Sequence, residues 1–438
     1  MIHDLRTTTL AGQFHTPFVF PDYNGHSFAN IPTSVLSLFG ADPNRPNGAG
    51  PVLAEPIFSK LKARNPKNIV VLLIDGLGFQ DWVTRAAKYP FFKRIGERGD
   101  LWSLTAVFPS TTSASLTTFF SAMTPQEHGL PEWNVYLKQL GDVINTLPFK
   151  RWNGRMTDEL AEMGYSPSLL YEGKTLFERL KAQGVLSTCF NHRSYAHSAY
   201  SSVTRRGASG IAFQNGSDLM ALLGRKIQPA AERQFFWVYW DAFDNLEHTY
   251  APGGPETDFE LESISRIFLE QWLGRIDRTF AEETLLLVTA DHGHIRVHPE
   301  RVILLSQYPE IREALQRNER GNVILPTGNI RNMFLHVREE KLQEMQRFVA
   351  EKLSGKADVW LTQDAIGRGL FGLGEPTERF RERIGNLLVL PYEDEIVWWE
   401  YPGKGQDKTH FRGHHGGLSP TEMFIPLGAA MLSDLLDR

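Results

Sequence analysis

Three uninterrupted apolar runs in this chain each end in an acidic residue, and few folds satisfy that pattern three times over. Residues 285–290 run into Asp291, His292, Gly293 and His294. Residues 69–74 run into Asp75 and Gly76, and residues 235–240 run into Asp241 with Asp244 close behind. An apolar run without alternation fits a strand covered on both faces, as in a mainly parallel sheet between helices. Ligand sites in such sheets lie beyond the carboxyl ends of the strands, where all three runs deliver a carboxylate. The pattern predicts an α/β fold with a doubly wound, mostly parallel sheet and a shared site at one edge. Taken singly, each aspartate also fits a turn or the cap of a following helix.

Charge and cysteine usage narrow the partners. The 438 residues carry a formal net charge of -5 and no run of basic side chains, so neither a polymeric nucleic acid nor an anionic membrane surface is expected. The single cysteine, Cys189, excludes an intramolecular disulfide and a thiolate metal cluster, and reads as a small buried apolar residue. The first 18 residues lack a basic segment followed by an apolar core, and no run reaches membrane-spanning length. A cytoplasmic protein, monomeric or homodimeric, is the expectation.

Read in order, residues 1–50 are rich in Pro, Gly and Asn around one amphipathic piece, 34–39, and suggest an arm packed on the core. A strand over 101–107 leads into Ser110, Thr111, Thr112, Ser113 and Ser115 and then a helix over 116–122. Residues 133–149 suggest a hairpin or cap, 175–184 a helix stopped by glycine, and 194–206 a loop. Leu261, Ile264, Phe268, Trp272, Leu273 and Ile276 have helical spacing, which predicts one amphipathic helix over 256–279 returning to the sheet. The pattern then changes. Strands at 333–337, 387–390 and 396–399 with a helix at 340–353 predict an α+β subdomain over 321–405, inserted into a core of 51–320 and 406–438.

The polar residues then gain a chemical meaning as a set. Asp244 and His248 stand one helical turn apart, Asp291 and His292 are adjacent, Asp75 ends the first run, and His415 lies in a Gly-His-His-Gly loop. Carboxylate with imidazole suits zinc or a related divalent ion, and a pair of ions can clamp the attacking and leaving oxygens of a displacement at phosphorus. Thr112 supplies a hydroxyl nucleophile. The bland reading of the 110–115 stretch is a helix cap; the same helix start would also hold a phosphoryl oxygen. Asp75-Gly76-Leu77-Gly78 lacks the lysine of a phosphate-binding loop.

Asp75 in Leu-Ile-Asp-Gly, Thr112 in Phe-Pro-Ser-Thr-Thr-Ser, the trailing His128-Gly129, Asp244 with His248, Asp291 with His292 and His415 in Gly-His-His-Gly together resemble the alkaline phosphatase superfamily. The branch is that of type I phosphodiesterases and nucleotide pyrophosphatases. The resemblance implies a metal-dependent hydrolase of phosphoric diesters or nucleotide pyrophosphates working through a phosphothreonine, on a small phosphorylated substrate. It implies two divalent ions, zinc first with manganese or iron as alternatives. Asp244, His248 and His415 would hold one ion, with His414 as a second candidate; Asp75, Asp291 and His292 would hold the other, with Thr112 reaching toward it. It further implies that Asn134 contacts a phosphoryl oxygen. Ser113-Ala114-Ser115 departs from the Phe-Pro-Asn that many nucleotide pyrophosphatases carry there, and no arginine follows the nucleophile as in related phosphomonoesterases. Alternatives on the same scaffold are a phosphomonoesterase, a phosphonate hydrolase, a phosphoryl transferase or a non-catalytic metal-binding sensor.

Overall fold

The computed structural model describes residues 2–3, 18–41, 50–401 and 410–437. Eight strands form the main sheet: β1 (Ile2–His3), β2 (Asn68–Ile74), β3 (Asp100–Thr105), β4 (Val185–His192), β5 (Ser209–Phe213), β6 (Arg233–Trp240), β7 (Thr284–Thr289) and β8 (Phe424–Met431). Their spatial order is β1-β3-β8-β7-β2-β6-β4-β5. Only β8 runs against its neighbours; every other described pairing in this sheet is parallel. The three apolar runs are therefore adjacent central strands in the order β7-β2-β6, buried along almost their whole length.

Register explains the site. Leu73 lies opposite both Thr289 and Tyr239, and Ile74 opposite Trp240. Asp75, Asp241 and Asp291 thus leave the same edge of three parallel strands within a residue or two of one another. Because β8 is antiparallel, the chain enters it from that edge as well, which brings the preceding loop with His415 to the same place.

A second, four-stranded sheet combines Thr327–Asn329, Asn332–Leu335, Leu387–Pro391 and Ala357–Leu361 in that spatial order, all antiparallel. Its core draws in Val297, Leu305, Ile311 and Leu315, so this layer begins to assemble before residue 320. The 133–149 stretch forms a hairpin of Asn134–Leu137 with Asp142–Asn145.

Two local expectations are corrected. The helix foreseen over 256–279 runs only from Pro255 to Arg266; a wider turn at Ile267–Trp272 and a tight one at Leu273–Arg275 follow, and a capped segment restarts at Arg278. Tight packing of Phe268 against Phe91, Trp240 and Trp272 accompanies the change of winding. Residues 194–206 are not wholly a loop, because Ala199–Thr204 form a short helix whose first turn is capped by Ser198. No helix among the described residues is long and apolar enough to cross a membrane.

Candidate active site

Helix α1 (Thr112–Ser121) starts directly above the sheet edge, its first turn capped by the Thr111 hydroxyl. Helix α3 (Ala242–Tyr250) follows β6, and its spacing puts Asp244 and His248 on one face. A helix α2 between them in the chain is the Ala199–Thr204 turn described above.

These elements gather two overlapping donor groups. In one, Asp244, His248, His294 and His415 each offer an atom within 4.8 Å of the others; in the second, Asp75, Asp244 and His292 do the same. Asp291 joins the second through His292, whose Nε2 lies 3.3 Å from Asp291 Oδ2 and 3.4 Å from Asp75 Oδ1. The Thr112 hydroxyl oxygen is 3.2 Å from the same Nε2. Around Asp244 Oδ1, Nε2 of His294, His248 and His415 stand at 2.7, 3.6 and 3.8 Å. His415 belongs to the donor group and His414 does not, although both line the cavity.

The donor chemistry fits cations. Three imidazoles turn Nδ1 to a backbone carbonyl: His248 to Gly413 at 2.8 Å, His292 to Gly293 at 3.2 Å and His415 to Ser110 at 3.0 Å. A proton on Nδ1 leaves the Nε2 lone pair directed into the cluster, the arrangement by which ligand histidines are oriented. Asp75 Oδ1 and Asp291 Oδ2 are buried with no hydrogen-bond partner. Burial, reinforced by the charges of Asp291 and Asp244, raises the Asp75 pKa well above the carboxylate range, a repulsion that cations would relieve. Asp244 is held low despite burial by the imidazoles of His248 and His294, and burial keeps His292 and His415 on the neutral side.

Surrounding contacts fix the donors. The Tyr239 hydroxyl donates to Asp75 Oδ2. Asp291 Oδ1 accepts from the backbone N–H of Gly76 and of His292, each at 3.2 Å. The Ser115 hydroxyl donates to the Asp291 carbonyl at 3.1 Å, tying α1 to β7, and the Ser110 hydroxyl joins Gly416 and Gly417 of the His415 loop. Gly76 has φ +79, and a side chain there would meet the His294 ring at 3.0 Å.

A family model described as type I phosphodiesterase / nucleotide pyrophosphatase matches residues 69–418. The chain belongs to this family. As a type I phosphodiesterase / nucleotide pyrophosphatase family member it is a metal-dependent hydrolase of phosphodiester or pyrophosphate bonds in small substrates. Its fold is similar to murine ectonucleotide pyrophosphatase / phosphodiesterase 5, solved free and as an inactive form in complex with AMP. Each gives a TM-score of 0.61 at 16% identity over 82% of this chain and 87% of that one. The human ectonucleotide pyrophosphatase / phosphodiesterase 5 gives 0.60 at 15% identity with the same coverage. No curated protein matches the chain.

Within this family member the remaining expected residues fall differently. Asn134, expected to meet a phosphoryl oxygen, does not line the cavity: its amide donates to the Gly328 carbonyl of the second sheet at 2.9 Å and accepts from Asn145 across the hairpin at 2.6 Å. Asn329 and Trp133 line the cavity instead. His128 packs beneath α1, bonded to the Thr118 hydroxyl at 3.1 Å and the Leu130 N–H at 3.0 Å. Lys138 pairs with Glu382 on the surface. His294 was not among the expected ligands, yet it makes the shortest imidazole contact to Asp244, at 2.7 Å; its position two residues past His292, on the turn leaving β7, was the available signal.

Proposed function

We propose that the chain hydrolyses phosphoric diesters or nucleotide pyrophosphates with Thr112 as nucleophile and a pair of divalent ions, zinc before manganese or iron. The observation that carries the reading is the Thr112 hydroxyl 3.2 Å from His292 Nε2, at the first residue of a ten-residue helix and at the lip of the converging donors. Asp244, His248 and His415 would hold one ion and Asp75, Asp291 and His292 the other. Bound cations would supply charge stabilisation at phosphorus and a lowered pKa for the hydroxyl.

The chain's own groups do the rest. Thr112 Oγ1 gives up its proton to solvent and attacks phosphorus in line, the bond to the leaving oxygen breaks and that oxygen departs as an alcohol or phosphate, and the phosphoryl group is carried on the threonine. Water then attacks from the side vacated by the leaving group and releases Thr112 unchanged. Unpaired N–H groups at the start of α1 would face the oxygens on which negative charge grows. The AMP found on the murine neighbour supports a nucleotide as one substrate.

The test is turnover of bis(p-nitrophenyl) phosphate and of ATP by the metal-loaded protein. Thr112→Ala is expected to lower kcat by about 10³-fold or more while metal content and melting temperature stay near those of the parent. Activity retained by that variant sinks the nucleophile. Chelation should abolish turnover, and added zinc or manganese should restore it.

A further inference from the structure

The cavity over the metal-site residues continues beyond them. Its volume is about 630 Å³, and its wall away from the donors is formed by Asn191, Ser198, Tyr200, Ser201 and Arg205. Arg205 caps the carboxyl end of α2, the helix that replaced an expected loop. Its Nη2 donates to the Ser201 hydroxyl at 2.6 Å, and its guanidinium lies 5.8 Å from the centre of the Phe120 ring. Nε and Nη1 are closed to solvent and have no acceptor, and the ionisable groups nearest Arg205 among the described residues are a cysteine and tyrosines rather than carboxylates. The neighbouring Asn191 Nδ2 is likewise buried and without an acceptor.

An unpaired guanidinium in such surroundings is costly unless something completes it, and arginine's fork suits a planar or tetrahedral oxyanion. Desolvation already holds this group's pKa below that of a free arginine, so a facing anion would be favourable. Phe120 follows Thr112 by eight residues on one helix, about 12 Å along its axis. The guanidinium beside that ring thus addresses a different part of a ligand from the phosphorus at Thr112.

We infer that Arg205, helped by Asn191, binds a second anionic group of the substrate, so that the preferred substrates carry a phosphate or carboxylate at a distance from the scissile phosphorus. This rests on the proposed hydrolase reading for the position of the reacting group. It assigns to α2 the discrimination between singly charged diesters and ligands with a distal oxyanion.

Binding separates the two claims. Metal-loaded Thr112→Ala protein, with and without Arg205→Met, is titrated calorimetrically with bis(p-nitrophenyl) phosphate, with ATP and with the 4-nitrophenyl phosphodiester of glycolate. Arg205→Met should lower the preference for ATP over the aryl diester at least tenfold. A parallel loss for the glycolate diester shows that a carboxylate serves there as well as a phosphate; a loss for ATP alone restricts the distal group to a phosphate. Arg205→Lys, which keeps the charge but not the fork, should fall between. An unchanged preference, an equal loss for all three ligands, or no binding of either distal anion by the parent overturns the assignment. If the wild type binds these ligands with that preference but hydrolyses none, the hydrolase reading fails and the anion subsite stands.

Discussion

A single proton often decides how well a carboxylate holds a cation, and Tyr239 controls the one nearest Asp75. Its buried hydroxyl donates to Oδ2 and leaves Oδ1 turned to the cluster. Tyr239→Phe keeps the ring and removes the donor, so metal retention against a chelator should weaken by about 10- to 100-fold with little change in melting temperature; unchanged retention would make the contact incidental. Most of the donors around it were legible in the sequence because each ends a strand or stands a fixed step from one that does, whereas His415, in its glycine-rich loop, was legible only through the family resemblance. Arg205 was not, because a serine-, tyrosine- and arginine-rich stretch has no period to report, and its importance comes from the absence of a partner, which only packing reveals. The partners of Asn134, the Gly328 carbonyl of the second sheet and the Asn145 side chain across the hairpin, were hidden in the sequence because both lie far along the chain or across a turn.

Between elements, the most consequential contact is the buried pair Arg331–Glu422. Arg331 reaches from the second sheet's first hairpin, and Glu422 accepts from its Nε at 3.1 Å and Nη2 at 2.9 Å, both side chains closed to solvent. Glu422 also accepts from the Gly417 N–H at 2.9 Å and from the Ser419 hydroxyl at 2.6 Å, which fixes the loop carrying His415. Arg331→Met would strand a buried carboxylate, costing about 3–5 kcal/mol in urea unfolding and loosening metal retention. Adding Glu422→Gln should recover part of that loss; no recovery would argue that Arg331 acts through packing alone. Strand identity was readable from unbroken apolar runs, whereas the broken course of 256–275 was not. Its apolar positions keep helical spacing, and the change of winding comes from aromatic rings packed against it in space.

Across the whole molecule, acid sensitivity should have a component remote from the site. His336 is buried in the second sheet's layer, its Nε2 without a partner, and burial pushes its pKa down to about 4. An unfolded histidine titrates near about 6.5. Between those values the unfolded chain binds more protons than the folded one, so stability rises with pH across the window and is lost as pH falls through it. The loss approaches about 3 kcal/mol by pH 4. His336→Phe, retaining the ring packed on Tyr136, should flatten the decline of melting temperature between pH 6.5 and 4; an identical decline would clear His336 of the effect. The layered order of the fold was foreseeable from three matched strand ends, but the antiparallel insertion of β8 was not, since one more apolar run carries no direction. That insertion also governs synthesis. β8 slots between β3 and β7, strands that leave the ribosome long before it, so a nascent chain can have neither a complete sheet nor a full set of cation donors until β8 and the loop before it emerge. Stalled or shortened products should therefore be inert, and never half-active scavengers of metal.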